Sequence, residues 1–268
     1  MSPWNAELEL HYRRAGGRTT LAQRHRGPLQ VQKALYPEGD STCHTVVVHP
    51  PGGIAGGDAL AIDVATAPGA HALITTPGAA KWYKANGRPA SQRVHLRIEG
   101  ALEWLPQEAI VFDAADARSE LRIDLGADAA MLGWDIVALG RIASGERFAR
   151  GAFAQTIRVH EQGQLQWLER TRLAGDDALL DSPVGLRGAR VFGCFWAYGP
   201  RWSDAQLEAL RHTDDRALLT RLSPRLLVAR ALCHTTAAVR AALEQLWTRV
   251  RPLVFDGLAP VRPRIWAT

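Results

Sequence analysis

The sequence predicts a mainly β protein that has α-helices only in its C-terminal part. Side-chain character alternates with a period of two between about residues 5 and 200, and glycine-containing turns interrupt the alternation at short intervals. A period of three to four residues begins only after residue 200. The segments that alternate most clearly, each predicted to be a strand, are LAIDVAT (60–66), QRVHLRI (92–98), ELRIDL (120–125) and QTIRVHE (155–161).

A weak repeat within the β region favours stacked coils. The repeated unit is a leucine followed two residues later by a tryptophan, and it occurs at Leu102/Trp104, Leu132/Trp134 and Leu165/Trp167. The copies are spaced by about 30 residues, and HALITTP (71–77) precedes the first copy at a similar distance. Residues two apart face the same side of a strand, so each copy offers the same apolar pair to a core. The spacing is typical of a β-solenoid, and the alternative is a set of unrelated hairpins in a β-sandwich.

The C-terminal part is predicted to be α-helical. Ser203 and Gln206 have the spacing of a capping box, which begins a helix. The segment 235–255 places apolar residues three and four apart, which predicts an amphipathic helix that ends near Pro252. We therefore expect a single domain over residues 1–268, with a β body over about 5–200 and an α-containing region over about 201–268.

Composition and charge exclude several classes of function. The formal net charge is +5, but only three of the 32 basic residues are lysines, and the arginines are scattered among acids with no basic stripe for nucleic acid. Cys43, Cys194 and Cys233 are widely spaced, as in reduced cytosolic proteins. The first residues lack the apolar core of a signal peptide, and no segment is apolar enough to span a bilayer. We therefore expect a cytoplasmic protein without nucleic-acid or membrane partners.

The segment HPPGGIAGGD (49–58) consists mostly of residues that neither pack a core nor build a helix. It follows the apolar run TVVVH (45–49), so it leaves a strand. Glycine and proline in this number predict an unusual backbone path or a close approach to other backbone. The segment lacks the lysine and the hydroxyl group of a phosphate-binding loop, and the chain has no dinucleotide, serine-hydrolase or zinc-protease motif.

Several potential metal ligands lie in and just before this segment. Cys43, His44, His49, Asp58 and Asp63 offer thiol, imidazole and carboxylate groups, all of which nickel accepts. Their spacing is not that of a preformed metal site. No two of them lie two residues apart on one strand or four residues apart on a helix, the spacings that place two ligands side by side. His44 is therefore either a metal ligand or a buried histidine with its own hydrogen-bond partner.

Two further carboxylates interrupt apolar runs. Asp135 lies within MLGWDIVALG, and Glu169 follows LQWL. Burying an unpaired carboxylate costs several kcal/mol, so each needs a partner or water. By the repeat, the two fall at nearly the same point of successive coils, where stacked carboxylates would line a path that attracts cations. The alternative is that each pairs with a nearby arginine, such as Arg141 or Arg170.

The segment TTPGAAKWYKANG (75–87) contains Lys81, Trp82, Tyr83 and Lys84 between glycines. Two aromatic side chains between two charges suit a protein interface. A strand edge whose aromatic rings pack inward is an equally good interpretation of the same residues.

Five stretches occur in an order that is typical of one protein family: HPPGGIAGGD, TTPGAAKWYK, LEWLPQEAIVF, GWDIVALGR and RPRIWAT. Together they resemble the UreD family of urease accessory proteins, called UreH in some species, from about residue 27 to the last residue. The resemblance implies a right-handed β-helix-like body with a few α-helices near the C-terminus. It also implies a non-enzymatic maturation factor that binds apo-urease together with UreF-type and UreG-type proteins, the latter a GTPase that delivers nickel.

The resemblance further implies a role for particular residues. Carboxylates thought to line an internal nickel route in the family correspond to Asp58, Asp135 and Glu169. Asp40 stands beside a serine where some relatives have glutamate, so we expect Asp40 and His44 to complete this transient nickel path. Nickel would pass without a permanently bound cofactor, residues 81–84 would form an interface, and dimers would form through the UreF-type partner.

Two other functions are compatible with the same residues. One is a purely structural scaffold that never contacts the ion. The other is a β-helical hydrolase or lyase in which Asp135 and Glu169 act as general acid and base.

Overall fold

About half of residues 4–267, the part of the chain that the computed structural model describes, fold into β-strands. In chain order the strands are β1 (Asn5–Ala15), β2 (Arg18–Arg26), β3 (Gln30–Leu35), β4 (Thr42–Val48), β5 (Gly53–Ile54), β6 (Ala59–Thr66), β7 (His71–Thr75), β8 (Ala80–Trp82), β9 (Ala90–Ile98), β10 (Ala101–Leu105), β11 (Ala109–Val111), β12 (Ala115–Leu125), β13 (Ala130–Leu139), β14 (Gly151–Glu161), β15 (Gln164–Ala174), β16 (Val191–Tyr198), β17 (Ala217–Arg221) and β18 (Leu226–Cys233). The α-helices are α1 (Asp204–Arg211) and α2 (Thr236–Val254). The mainly β class with late helices is therefore confirmed.

The strands form two sheets that face each other. Sheet A has the order β15-β14-β12-β9-β6-β1-β2, and sheet B has the order β17-β18-β16-β13-β10-β7-β4-β3. The short strand β8 pairs with β5 on one side and with β11 on the other, and β11 also pairs with β13. The four segments with the clearest alternation are β6, β9, β12 and β14, which are adjacent and parallel in sheet A. Their period of two arises because one face packs in the core and the other faces solvent.

Successive passes of the chain stack on one another in parallel. The chain runs from sheet B through a short strand to sheet A in β4-β5-β6, again in β7-β8-β9 and again in β10-β11-β12. Thr42 therefore pairs with His71, His71 with Ala101, and Ala101 with Ala130. This parallel pairing, at an offset of about 30 residues, is the physical origin of the repeat in the sequence.

The strand register predicted from the leucine–tryptophan repeat is wrong by one residue. Leu102 pairs with Met131 and Trp104 with Gly133, so Trp134 is not the equivalent of Trp104. A shift of one residue reverses the face of a side chain, and Trp134 accordingly packs on the opposite face of sheet B. The third copy is not a further pass, because Trp167 lies in β15, which is antiparallel to β14.

Helix α2 covers the face of sheet B that points away from sheet A. In β13, Val137 belongs to the core between the sheets, whereas Trp134 and Ile136 pack in a second core with α2. Burial on both faces explains why the sequence around Asp135 is apolar without alternation.

The helix boundaries follow the predicted signals closely. Ser203 accepts a hydrogen bond from the backbone N–H of Gln206, and the Gln206 side chain accepts one in return, so the capping box is confirmed. Helix α2 continues through Pro252 and ends at Val254, because buried packing of its last turn outweighs the missing N–H. After residue 200 the chain also adds β17 and β18 to sheet B. Over residues 4–267 no helix has both the length and the apolar character that crossing a bilayer requires.

Candidate functional site

The glycine-rich loop 49–58 lies tightly against the next pass of the chain. A Cβ atom on Gly53 would be 2.4 Å from Cε2 of Tyr83, so only glycine fits at this position. The backbone of Gly57 has a φ of +99°, which residues other than glycine rarely adopt. The unusual composition of the loop is therefore explained by a close approach at one glycine and a left-handed turn at another.

Asp58 ends this loop and holds its backbone. Its carboxylate oxygens accept hydrogen bonds from the backbone N–H groups of Trp4 and Ala55, each at 2.8 Å. Burial lowers the pKa of the neighbouring His49 imidazole, and the Asp58 charge partly opposes this effect. Among the described residues, Nε2 of His49 is buried without a hydrogen-bond partner. The loop thus contributes a satisfied carboxylate and an unsatisfied, neutral imidazole.

A cavity of about 320 Å³ lies between the two sheets, next to this loop. The polar side chains that line it include His49, Lys81, Gln92, Asp135 and Gln155. Apolar residues from both sheets form the rest of its wall. Side chains therefore do not fill the space between the sheets completely, and the cavity can hold an ion or water molecules.

Asp135 projects from β13 toward sheet A and lines this cavity. Its carboxylate accepts a hydrogen bond from the side-chain amide of Gln155. Burial raises the pKa of Asp135 to about 6, although the hydrogen bonds from Gln155 and from the backbone of Ile136 oppose the rise. The expected alternative partner, Arg141, instead forms an ion pair with Glu146. Asp135 is therefore a half-buried carboxylate without a cationic partner among the described residues.

A groove of about 1030 Å³ begins where the interior cavity ends. Asp135, Val137 and Gln155 line both spaces. Glu169, from β15 of sheet A, lines the same groove and forms an ion pair with Arg230 of β18 in sheet B, with Nε of the arginine 3.2 Å from Oε1. The groove therefore brings Asp135 and Glu169 to one surface.

This arrangement corrects two details of the sequence interpretation. Glu169 does pair with an arginine, but the partner is Arg230 and not the adjacent Arg170. Asp135 and Glu169 do not occupy equivalent points of successive coils, because they lie in different sheets. The error follows from the repeat, whose third copy belongs to an antiparallel hairpin.

His44 belongs to a separate, buried network beneath α2. Its Nε2 contacts Oε1 of Glu38, which also pairs with Arg251 of α2 at 2.8 Å. Arg251 in turn binds Glu103, whose carboxylate also contacts His71 at 3.0 Å. The buried-histidine interpretation therefore describes His44, and this network attaches α2 to sheet B.

The remaining predicted residues lie at the surface or in the core. Asp40 is exposed and pairs with Arg18 at 3.3 Å. Trp82 is only 2% exposed and packs in the core, so the inward interpretation applies to its ring. Lys81 and Lys84 are exposed. Neither Asp40 nor His44 lines the interior cavity or the groove.

Within residues 4–267 no three side chains of His, Cys, Asp or Glu are arranged to hold a metal ion. Sequence reasoning also missed Gln155 and Glu103, although a usable signal existed. Gln155 interrupts the inward apolar positions of β14, and Glu103 interrupts the apolar segment ALEWL. A polar residue at an inward position is the same signal that identified Asp135.

Comparisons with known proteins identify the family of this chain. A family model described as "UreD urease accessory protein" matches residues 5–267. The chain is 49% identical over 274 residues to "Urease accessory protein UreD" of Dechloromonas aromatica, with 99% of this chain and 95% of the relative covered. Proteins of the same name in Pseudomonas fluorescens strains Pf-5 and Pf0-1 are 49% and 50% identical, with the same shares covered.

These matches place the chain in the class of urease accessory proteins. Within that class it belongs to the UreD family.

Proposed function

We propose that this protein is a non-enzymatic urease maturation factor that passes nickel through its β body. The observation that carries the proposal is the position of Asp135 and Gln155, which line both the interior cavity and the open groove. The two spaces meet at a carboxylate that has no cationic partner among the described residues. A divalent cation entering this junction would supply the positive charge that Asp135 lacks in the folded chain.

The ligand chemistry suits transfer more than storage. Carboxylate and amide oxygens bind nickel more weakly than clustered thiolates and imidazoles do. A hydrated ion can exchange one or two waters at Asp135 and Gln155 and then leave, because a conducting site must bind weakly. The lack of a three-ligand group among residues 4–267 supports this choice.

His49 also lines the interior cavity, whereas Asp58 does not line it but lies close enough for its charge to act on His49. The neutral His49 imidazole can accept a metal ion at a nitrogen, and the nearby Asp58 charge attracts cations. Asp58 itself is engaged by two backbone N–H groups, so we assign it an electrostatic role and not a direct ligand role. We leave Asp40 and His44 outside the path, because each is paired elsewhere.

Glu169 lies at the groove end of the proposed path. Its ion pair with Arg230 keeps the carboxylate occupied in the isolated chain. A cation or a partner protein that displaces Arg230 would free Glu169 to receive nickel. We propose that this exchange couples nickel movement to docking.

The proposed partners are apo-urease and the UreF-type and UreG-type proteins, in the cytoplasm. GTP hydrolysis by the UreG-type protein would drive delivery of nickel to this chain. We also propose that the stacked parallel passes wind as a right-handed β-helix, which the pairing at offsets of about 30 residues supports.

The test is the nickel content of urease in cells that lack this protein. The deletion is complemented with the wild type, with Asp135→Asn or with Gln155→Leu. The matched control is Asp63→Asn, which removes a carboxylate from the outer face of β6. Nickel-poor urease with the two cavity variants, and normal urease with the control, would support the path.

Two other results would overturn parts of the proposal. Full nickel loading with both cavity variants would leave a scaffold that does not contact the ion. Fully loaded urease in the deletion strain itself would reject any role in urease maturation.

A further inference from the structure

The groove that begins at Asp135 is an open space between the edge strand β15 of sheet A and strands β16 and β18 of sheet B. It follows consecutive residues of three strands, namely 169–173 of β15, 192–194 of β16 and 230–232 of β18. In the described part of sheet A, β15 pairs only with β14, so its other edge is free. A long groove beside a free strand edge fits an extended peptide segment, which can add backbone hydrogen bonds to that edge.

The groove has positive charge that the chain itself does not neutralise. Arg170, Arg172 and Arg187 line the groove, and none of them forms an ion pair within residues 4–267. Three carboxylates also line the groove: Asp215 is exposed, Asp135 accepts a hydrogen bond from Gln155, and Glu169 is already paired with Arg230. Unpaired guanidinium groups favour carboxylates of a partner, because they bind them in a planar, two-pronged geometry.

The same groove exposes large apolar side chains. Val184 is 90% exposed, Leu218 is 75% exposed and Leu179 is 44% exposed, and all three line it. Exposed apolar residues that cluster at a concave surface are typical of a protein-binding site. The groove is therefore complementary to a partner that presents carboxylates and apolar side chains together.

We infer that this groove is the docking site for an extended acidic segment, with apolar side chains between its carboxylates, on a partner protein. The segment covers Asp135 at the end of the interior cavity. The identification of the partner as the nickel-receiving apo-urease rests on the proposed function. The chemistry of the segment rests only on the groove.

The first test measures binding of a defined probe. A fluorescent peptide of about ten residues, in which glutamate and leucine alternate, is titrated with the full chain at low salt. Arg170→Glu/Arg172→Glu should weaken binding about tenfold, because two attractive contacts become repulsive. The matched control is Arg24→Glu/Arg26→Glu, which makes the same change on β2, at the opposite edge of sheet A.

A second variant, Val184→Ser/Leu218→Ser, tests the apolar contacts without changing charge. It should also weaken the probe, because both side chains are already exposed in the free chain and the fold does not depend on them. Equal weakening by the β2 control, or no binding of the probe by the wild type, would overturn the inference.

The partner is tested separately with purified apo-urease. Wild type that binds apo-urease, with binding lost on the Arg170→Glu/Arg172→Glu change and kept in the β2 control, supports the groove as the docking site. Unchanged binding in both variants refutes the groove but leaves the maturation role intact. Failure of the wild type to bind apo-urease, together with probe binding at the groove, would refute the proposed partner and not the chemistry of the groove.

Discussion

Replacing Asp135 by asparagine should stabilise the folded protein near neutral pH. The carboxyl group lies in an apolar wall, and burial raises its pKa from 3.8 to about 6. The folded state therefore holds this proton more tightly than the unfolded state does. Stability from this group is fully present below pH 3.8 and is lost as the pH rises through about 6. Asparagine cannot ionise and can still accept the hydrogen bond from Gln155.

The magnitude follows from the size of the pKa change. A rise from 3.8 to about 6 corresponds to about 3 kcal/mol of stability lost by the wild type above pH 7. Access of water through the cavity and the groove lowers this figure, so we expect Asp135→Asn to gain about 1–3 kcal/mol at pH 8. The two proteins should differ little at pH 4.

The assay is urea unfolding of the wild type and the variant, measured by tryptophan fluorescence at pH 4, 6 and 8. Comparing the two proteins at each pH cancels the titration of all other groups. The difference in free energy of unfolding should grow with pH in favour of the variant. A difference that is independent of pH, or a less stable variant at pH 8, would refute the assignment of Asp135 as a half-buried carboxylate without a cationic partner.

Three other predictions concern the framework around the site. Arg251→Met leaves Glu103 and Glu38 buried without their cation and should cost about 3–5 kcal/mol, measured by urea unfolding at pH 7; a loss below about 1 kcal/mol would contradict the network. Burial alone would raise the pKa of Glu103, but His71 and Arg251 lower it to about 2, so Glu103→Gln should abolish a stability loss that the wild type shows between pH 4.5 and 2. Gly53→Ala should destabilise the protein because its Cβ atom meets the Tyr83 ring, and Tyr83→Ala in the same chain should recover part of the loss; additive losses would show that the two residues do not touch.

Much of the fold could be predicted from residue patterns. Strands with one solvent-facing side are recognisable because apolar and polar residues alternate along them, as in β6, β9, β12 and β14. The capping box at Ser203 depends only on local chemistry and was equally predictable. The register of the stacked passes was not, because the offset between paired strands varies by one residue and each shift reverses the face of every side chain.

The candidate site was predictable only in part. Asp135 was identifiable because its charge interrupts an apolar strand. Its partner Gln155, and the Arg230 that pairs with Glu169, come from distant strands, and a single sequence does not show which strands meet. Glu38, the partner of His44, is also bound by Arg251 of α2, and a single sequence does not show that this helix packs there.

The most direct test of the central claim is transfer of nickel to purified apo-urease. Urease is activated with the purified partner proteins, GTP and either wild type or Asp135→Asn, and nickel per urease active site is measured after equal assembly has been verified. The proposed path predicts that the variant, although at least as stable as the wild type, leaves urease poor in nickel. Equal nickel content with both proteins would contradict the claim that the ion passes Asp135.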